Sequence, residues 1–358
     1  MIKKLLCVCI FCACWQNFHC AFAQSQTFYV WPDSLPGNQD TTSDGCFRPT
    51  IEAYIPEPSK ATAAAFIICP GGAYFMLWGD EAAPPAQWLK SNGIAGFVLN
   101  YRHKDCKHPV PLWDARRAMR LVRSRADEFN IDPDRIGIMG FSAGGHLAST
   151  VGTHYDNGNP SSSDPVEHFS CKPAVMVLGY PCITMNDPYA HGTTRGYLLG
   201  NNNSQDTLDY LSNEKHVDEN TPPTFITYGD SDDVVHPMNS IMFYDSLQKY
   251  GVTSKMVVEE GLKHGYYTEP SWTDTCLAWL EQTGFLSSTQ SVPHRKGLRV
   301  SPADKENAFS TLSPNINGYS LPWAQSILVP ATGARSAPPP PGALFDCRGR
   351  LLIHRIQY

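Results

Sequence analysis

One stretch constrains this chain more than any other: Arg135-Ile136-Gly137-Ile138-Met139-Gly140-Phe141-Ser142-Ala143-Gly144-Gly145-His146. An apolar run of β type ends in Gly-x-Ser-x-Gly, and Leu147, Ala148, Ser149, Thr150 and Val151 continue without a break. Strand, sharp turn and helix is the setting that lifts a reactive serine above the end of a sheet. A serine held there takes a strained backbone conformation, and only glycines two residues to either side leave room for the turn. The same turn aims the N–H of Ala143 at the spot the Ser142 hydroxyl reaches. A plainer reading is a glycine-rich strand–helix turn whose serine caps the helix. Partners elsewhere in the chain must decide between the two.

The surroundings of that stretch fix the fold class. Apolar runs predict strands over 51–55, 63–69, 96–101, 174–180, 224–228 and 255–260, while helical periodicity falls over 81–91, 114–129, 238–250 and 271–283. In the 114–129 segment Ala115, Ala118, Leu121, Val122 and Ala126 share one face, with arginines opposite. Residues 24–50 read as an extended lead-in with edge strands, and 183–221 as a polar loop with one short helix near 205–211. Alternation of this kind predicts an α/β fold: a mostly parallel central sheet with helices on both faces. With 42% hydrophobic and 17% charged residues the chain can fill such a core. Its net charge of −6 gives no footprint for nucleic acid, and no stretch outside the N-terminus is apolar enough to span a bilayer.

The N-terminus reads as a cleavable signal peptide over 1–23. Lys3 and Lys4 supply the positive region, Leu5 to Ala13 the apolar one, and Ala21-Phe22-Ala23 the cleavage site. Export to the periplasm or the medium follows as an expectation. Cys14 after Phe11-Cys12-Ala13 leaves lipoprotein processing as the alternative. Seven cysteines remain after residue 23, an odd number, so at least one stays unpaired within the chain; which ones pair is not legible. The catalytic domain is expected over 24–286. Residues 287–358, with Pro338 to Pro341 and one strand candidate near 350–353, read as a linker or disordered tail with a small terminal element.

An acyl-transfer site needs a base beside the serine, a carboxylate to orient the base, and N–H donors where an oxyanion forms. In a sheet of this topology the order is Ser, then Asp or Glu, then His, each after a strand. Of the histidines that follow, His264 alone comes shortly after a strand and beside a glycine; His236 shares the acid's own loop, and His294 and His354 lie in the tail. Asp230, Asp232 and Asp233 all follow the strand ending at Gly229, and placement against that glycine and the paired valines favours Asp232. Backbone donors come from Ala143 and from Gly71 and Gly72, in the loop after residue 69. Two glycines in a plain tight turn explain that loop equally well on their own. Four features in this order, each at a strand end, do not arise easily by chance.

With these segments on the page, the chain resembles the acetyl esterase/lipase group of α/β-hydrolases, similar to secreted acetylxylan and feruloyl carbohydrate esterases. The resemblance rests on Cys69-Pro70-Gly71-Gly72-Ala73-Tyr74, on the run from Ile131 to Ala148, on Ser212-Asn213-Glu214-Lys215 with Thr221-Pro222-Pro223-Thr224-Phe225, and on Asp232-Asp233-Val234-Val235 with Lys263-His264-Gly265. It implies Ser142 as nucleophile, His264 as base, Asp232 as acid, and the amides of Gly71, Gly72 and Ala143 as oxyanion hole, with no cofactor or metal. It implies hydrolysis of acetyl or other small acyl esters on a plant polysaccharide or oligosaccharide such as xylan. Two departures stand out: Ala73 occupies a position where the family usually has a third glycine, and His236 precedes Pro237 where the proline commonly comes directly.

Other readings compete. A serine peptidase of the prolyl oligopeptidase type shares the elbow and the residue order, and a non-catalytic carbohydrate-binding protein could keep the fold. His103, Cys106 and His108, with Asp105, have metal-ligand chemistry but no second cysteine nearby. Asp80 and Glu81 suit a helix start or contact with sugar hydroxyls. Tyr189, His191, Arg195, Tyr197 and Tyr210 place aromatics and polar groups in the 183–221 insertion, where this topology puts substrate, although a solvated loop explains them as well. Oligomeric state is not legible.

Overall fold

A computed structural model describes residues 26–32, 35–37, 42–268, 270–286, 344–345 and 351–352. The expected signal peptide over 1–23 and nearly all of the expected tail over 287–358 lie outside the described residues. The chain divides into two compact units, 1–311 and 312–358. In the second, the described residues form one antiparallel pair, Leu344–Phe345 with Leu351–Leu352.

The first unit is built on eight strands: β1 (Gln26–Tyr29), β2 (Thr50–Tyr54), β3 (Ala65–Cys69), β4 (Ala95–Asn100), β5 (Ile136–Phe141), β6 (Met176–Gly179), β7 (Thr224–Gly229) and β8 (Ser254–Glu259). They lie in the order β1-β2-β4-β3-β5-β6-β7-β8; β1 and β2 are antiparallel additions and the rest run parallel. The helices are α1 (Ala83–Ser91), α2 (Val110–Ser124), α3 (Ala126–Phe129), α4 (Ser142–Thr153), α5 (Gly192–Leu199), α6 (Gln205–Tyr210), α7 (Met238–Lys249) and α8 (Pro270–Gln282).

Every residue of β3 and β5 is buried, because both faces of the sheet are covered. Side chains alternate between the two. Ala65, Ile67 and Cys69 join a core with Ala115, Ala118 and Met119 of α2, Leu147 of α4 and Phe243 of α7. Phe66 and Ile68 face the other way, onto Leu89 of α1 and Trp272, Trp279 and Leu280 of α8. Three layers result, helices on sheet on helices.

The register positions the site. Cys69 pairs with Gly140, Phe141 with Gly179, and Gly179 with Thr227, so the parallel strands end together along one edge of the sheet. After β3 the chain lays β4 to one side, then returns to lay β5 on the other. Loops after β3 and β5 therefore leave the sheet in opposite directions and open a crevice between them, where ligands bind in open α/β sheets.

Two expectations need correction. The helix expected over 114–129 begins at Val110 and breaks near Arg125, with α3 ending at a left-handed Asn130. Two of its arginines, Arg117 and Arg120, do not face water. Arg117 bridges Asp164 and Glu167, both at 2.7 Å, and Arg120 donates to the Phe169 carbonyl and pairs with Asp156. The segment 156–169 supplies these acceptors, and periodicity within one helix carries no trace of a cover that arrives later in the chain. The insertion 183–221 holds α5 as well as the expected helix near 205–211, again because its apolar positions are few and scattered.

Inside α2, Asp114 is fully buried against Arg102. Its Oδ1 accepts from Arg102 Nη2 at 2.7 Å and from Trp31 Nε1 at 2.8 Å, while Oδ2 accepts from Arg102 Nε at 2.9 Å and the Arg102 N–H at 3.0 Å. Such complete pairing is what makes two buried charges tolerable.

Candidate active site

Ser142 is the first residue of α4 and has φ +52°, a left-handed conformation that costs an ordinary residue roughly 1–2 kcal/mol. Close packing enforces it. A Cβ on Gly140 would lie 2.2 Å from the Gly144 carbonyl oxygen, and one on Gly144 would lie 2.0 Å from the carbonyl oxygen of Cys69. The glycines of Gly-x-Ser-x-Gly are thus the contact between the turn, its own helix and β3. The plain helix-cap reading is not what the structure shows, since the cap residue is Phe141 and no side chain caps α4.

The acid turn and the late histidine converge on this serine. Ser142 Oγ lies 2.9 Å from His264 Nε2, and His264 Nδ1 lies 2.7 Å from Asp232 Oδ2. A carboxylate only accepts, so Nδ1 carries the proton and Nε2 is free to accept from the serine hydroxyl. The other Asp232 oxygen takes the N–H groups of Val234 and Val235, each at 2.9 Å. The three aspartates part here. Asp230 Oδ1 accepts from the Gly261 N–H at 2.7 Å, and Asp233 pairs with exposed Lys263, which leaves Asp232 on the imidazole. His236 sits against Tyr189, with ring centroids 4.7 Å apart, and takes no part in this chain of contacts.

The three backbone donors are brought beside Ser142 but are not equivalent. The Gly71 N–H donates to Glu81 Oε2 at 2.7 Å, a buried bond that takes this amide away from any ligand. The N–H groups of Gly72 and Ala143 have no acceptor among the described residues. Gly71 is there for space: a Cβ would lie 2.8 Å from the Ser142 Cβ.

Glu81 is the residue that sequence reasoning misjudged. It neither caps α1 nor faces solvent; it is 4% exposed and also accepts from the Tyr180 hydroxyl at 3.0 Å. Burial pushes its carboxyl above the usual range, against the lowering effect of the Gly71 and Tyr180 bonds. A glutamate at a helix start gives no sequence signal for this role. Tyr180 follows β6 with φ +35° and sets its ring edge-on to His264, centroids 4.6 Å apart.

His146 ties the glycine loop after β3 to the insertion. Its Nδ1 accepts from the Tyr74 hydroxyl at 3.0 Å and its Nε2–H donates to the Leu211 carbonyl at 2.8 Å. Complete burial pushes the imidazole down to about 4, so it is neutral near pH 7. Ala73 and Tyr74 both take left-handed angles, φ +56° and +55°. Glycine would be relaxed at the first, and Tyr74 is held there by His146 and by the Lys104 N–H donating to its carbonyl at 2.6 Å. The Pro181–Thr184 segment also braces the serine: the Cys182 N–H donates to the Ser142 carbonyl at 2.9 Å, and its thiol, pushed up to about 12 by burial, faces Thr194 Oγ1 at 3.5 Å.

Cys106 is bonded to Cys46, which removes the thiolate from the His103, Cys106 and His108 triplet. Cys69, Cys171, Cys182 and Cys276 are free and buried. Cys347 lies outside the described residues.

A mostly parallel sheet carrying a serine elbow after β5, an acid turn after β7 and a histidine after β8 is an α/β-hydrolase fold. Comparison with known proteins sharpens the class: the chain belongs to the BD-FAE family, whose model matches residues 51–247. Endo-1,4-beta-xylanase B of Butyrivibrio fibrisolvens is 35% identical over 210 residues, 57% of this chain and 32% of that protein. An acetylxylan esterase of Xylanibacter ruminicola is 30% identical over 214 residues, 58% of this chain and 42% of that protein. The match therefore spans less than half the length of either curated relative. Among solved structures, an acetyl ester-xyloside bifunctional hydrolase from Caldicellulosiruptor lactoaceticus is similar with TM-score 0.70 at 40% identity, covering 73% of this chain and 97% of that one.

Proposed function

We propose that this chain is an exported serine esterase that removes acetyl or other small acyl groups from a plant polysaccharide or its oligosaccharides, xylan above all. The observation that carries the reading is the relay from Asp232 through His264 to Ser142, at 2.7 and 2.9 Å, beside two amides with no acceptor among the described residues. The xylan-related names of the relatives support the substrate class, and the 1–23 segment supports export.

The chemistry follows from the contacts. Ser142 Oγ attacks the ester carbonyl as its proton passes to His264 Nε2, forming a C–O bond and placing negative charge on the carbonyl oxygen. The N–H groups of Gly72 and Ala143 receive that charge; Gly71 holds the loop in place through Glu81 rather than binding the oxyanion. Collapse expels the sugar oxygen, which takes the proton from Nε2 and leaves an acyl-serine. Water then attacks, passing its proton to His264; the acid departs, and Ser142 regains the proton. Asp232 stabilises the imidazolium at both stages without itself being protonated.

The test is acetate release from acetylated xylan by the wild type and by Ser142→Ala, with fluorophosphonate labelling alongside. Release and labelling should both vanish in the variant. A variant that still releases acetate at the wild-type rate would falsify the assignment.

A further inference from the structure

Eight large apolar side chains stand exposed among the described residues, and Phe75 (40%), Met76 (40%) and Trp78 (47%) fall together just after Gly72. Elsewhere among the described residues most aromatics are buried or half-buried, so a cluster left open at one place carries information. The cluster is fixed beside the site by its own backbone. The Phe75 and Met76 N–H groups donate to the Gly72 carbonyl at 2.9 and 3.0 Å, and the Trp78 N–H to the Gly71 carbonyl at 3.0 Å.

The insertion supplies the other half. Tyr197 on α5 meets Phe75 with ring centroids 4.9 Å apart and planes at 44°. The Lys104 ammonium lies 5.0 Å over the Phe75 ring and that of Lys107 lies 5.4 Å over Tyr197. Both lysines sit on the loop that the Cys46–Cys106 bond anchors and that donates to the Tyr74 carbonyl, so the surface is formed before any ligand arrives.

A pyranose ring has a face of C–H groups and a rim of hydroxyls. Aromatic rings left partly open offer apolar surface to the first, and the Lys107 ammonium against Tyr197 offers N–H donors to the second, while Lys104 is paired with Asp44. A stable protein partner would need a far larger face than these few side chains offer. We propose that Phe75, Trp78 and Tyr197 form a sugar subsite, on which unesterified pyranose residues next to the esterified one stack. The subsite rests on the carbohydrate-ester reading of the Ser142 centre and assigns where the main chain of the substrate is held.

Two measurements test it: kcat/KM on acetylated xylo-oligosaccharides against 4-nitrophenyl acetate, and binding of unacetylated xylohexaose to the full chain carrying Ser142→Ala. Phe75→Ala, Trp78→Ala and Tyr197→Ala should each lower the oligosaccharide-to-small-ester ratio about tenfold and weaken xylohexaose by a similar factor. Phe75→Tyr, which keeps the ring, should restore the ratio, and Tyr250→Ala, at the exposed residue just after α7, should change neither readout. An unchanged ratio, or no binding of xylohexaose to Ser142→Ala, overturns the subsite. Acetate release from xylan that ignores these rings sinks the subsite alone. Xylohexaose binding through the rings with no acetate release sinks the esterase reading and leaves the subsite standing.

Discussion

Glu81 Oε2 accepts the Gly71 N–H at 2.7 Å, and this buried bond decides which amides of the glycine loop remain open to a ligand. Its other oxygen holds Tyr180, whose ring packs on His264, so one carboxyl touches both halves of the site without touching the serine. Removing it in Glu81→Ala should lower kcat by about a hundredfold, since displacement of the loop by roughly an ångström misplaces the Gly72 amide that we propose meets the oxyanion. Glu81→Gln should recover to within about tenfold of the wild type. Its amide oxygen can accept from Gly71 while its NH2 donates to the Tyr180 oxygen. KM should move little in either. Steady-state kinetics on a small ester check this, and equal losses in both variants would show that charge rather than positioning is at stake.

Asp232 is the acidic residue of its turn that meets the imidazole. Asp232→Asn should cost on the order of 10³–10⁴ in kcat, because an amide no longer fixes the Nδ1–H tautomer. Asp233→Asn, which loses only a surface pair with Lys263, should stay within about threefold. Comparable losses from the two would put the acid elsewhere in the turn.

The buried imidazole of His146 predicts acid sensitivity. Its value falls from 6.5 to about 4 on folding, so between those limits the unfolded chain binds a proton that the folded chain does not. Stability is therefore complete above about pH 6.5 and falls as pH drops towards 4, by about 3 kcal/mol for this one group. His103, His108 and His154, each lowered to about 4 chiefly by burial, act in the same direction. Urea unfolding at pH 7 and pH 4.5 should show the decline, and His146→Gln should lessen it by the share of that one group. An identical pH slope in the variant would remove His146 from its sources.

Arg102 and Asp114 are both fully buried, and each depends on the other. Arg102→Met leaves a carboxylate in the core with only Trp31 and a backbone amide for partners, and should cost about 3–5 kcal/mol in urea unfolding. A loss below about 1 kcal/mol would mean that water reaches Asp114.

The positions that met the serine were legible because each follows an apolar strand in the order that this sheet demands. Ser142, Asp232 and His264 could be proposed without coordinates, as could Gly72 and Ala143. Glu81 and the buried pairing of Arg117 and Arg120 could not. Their partners lie on loops from other parts of the chain, and a charged residue on a helix looks the same from sequence whether water or a carbonyl faces it. Helix α5 was missed for a related reason, since Thr194 and Leu198 are buried within a stretch of mostly polar and small residues.

What the sequence by itself determined is the alternating α/β pattern and the elbow. Both are local: side-chain period and the room that glycines leave are written in neighbouring residues. Only the tertiary structure decided which of the Gly71, Gly72 and Ala143 amides stay unpaired, and that Tyr197 of the insertion packs on Phe75 beside the glycine loop. Those choices depend on competition between hydrogen-bond partners distant along the chain, and folding brings the competitors together.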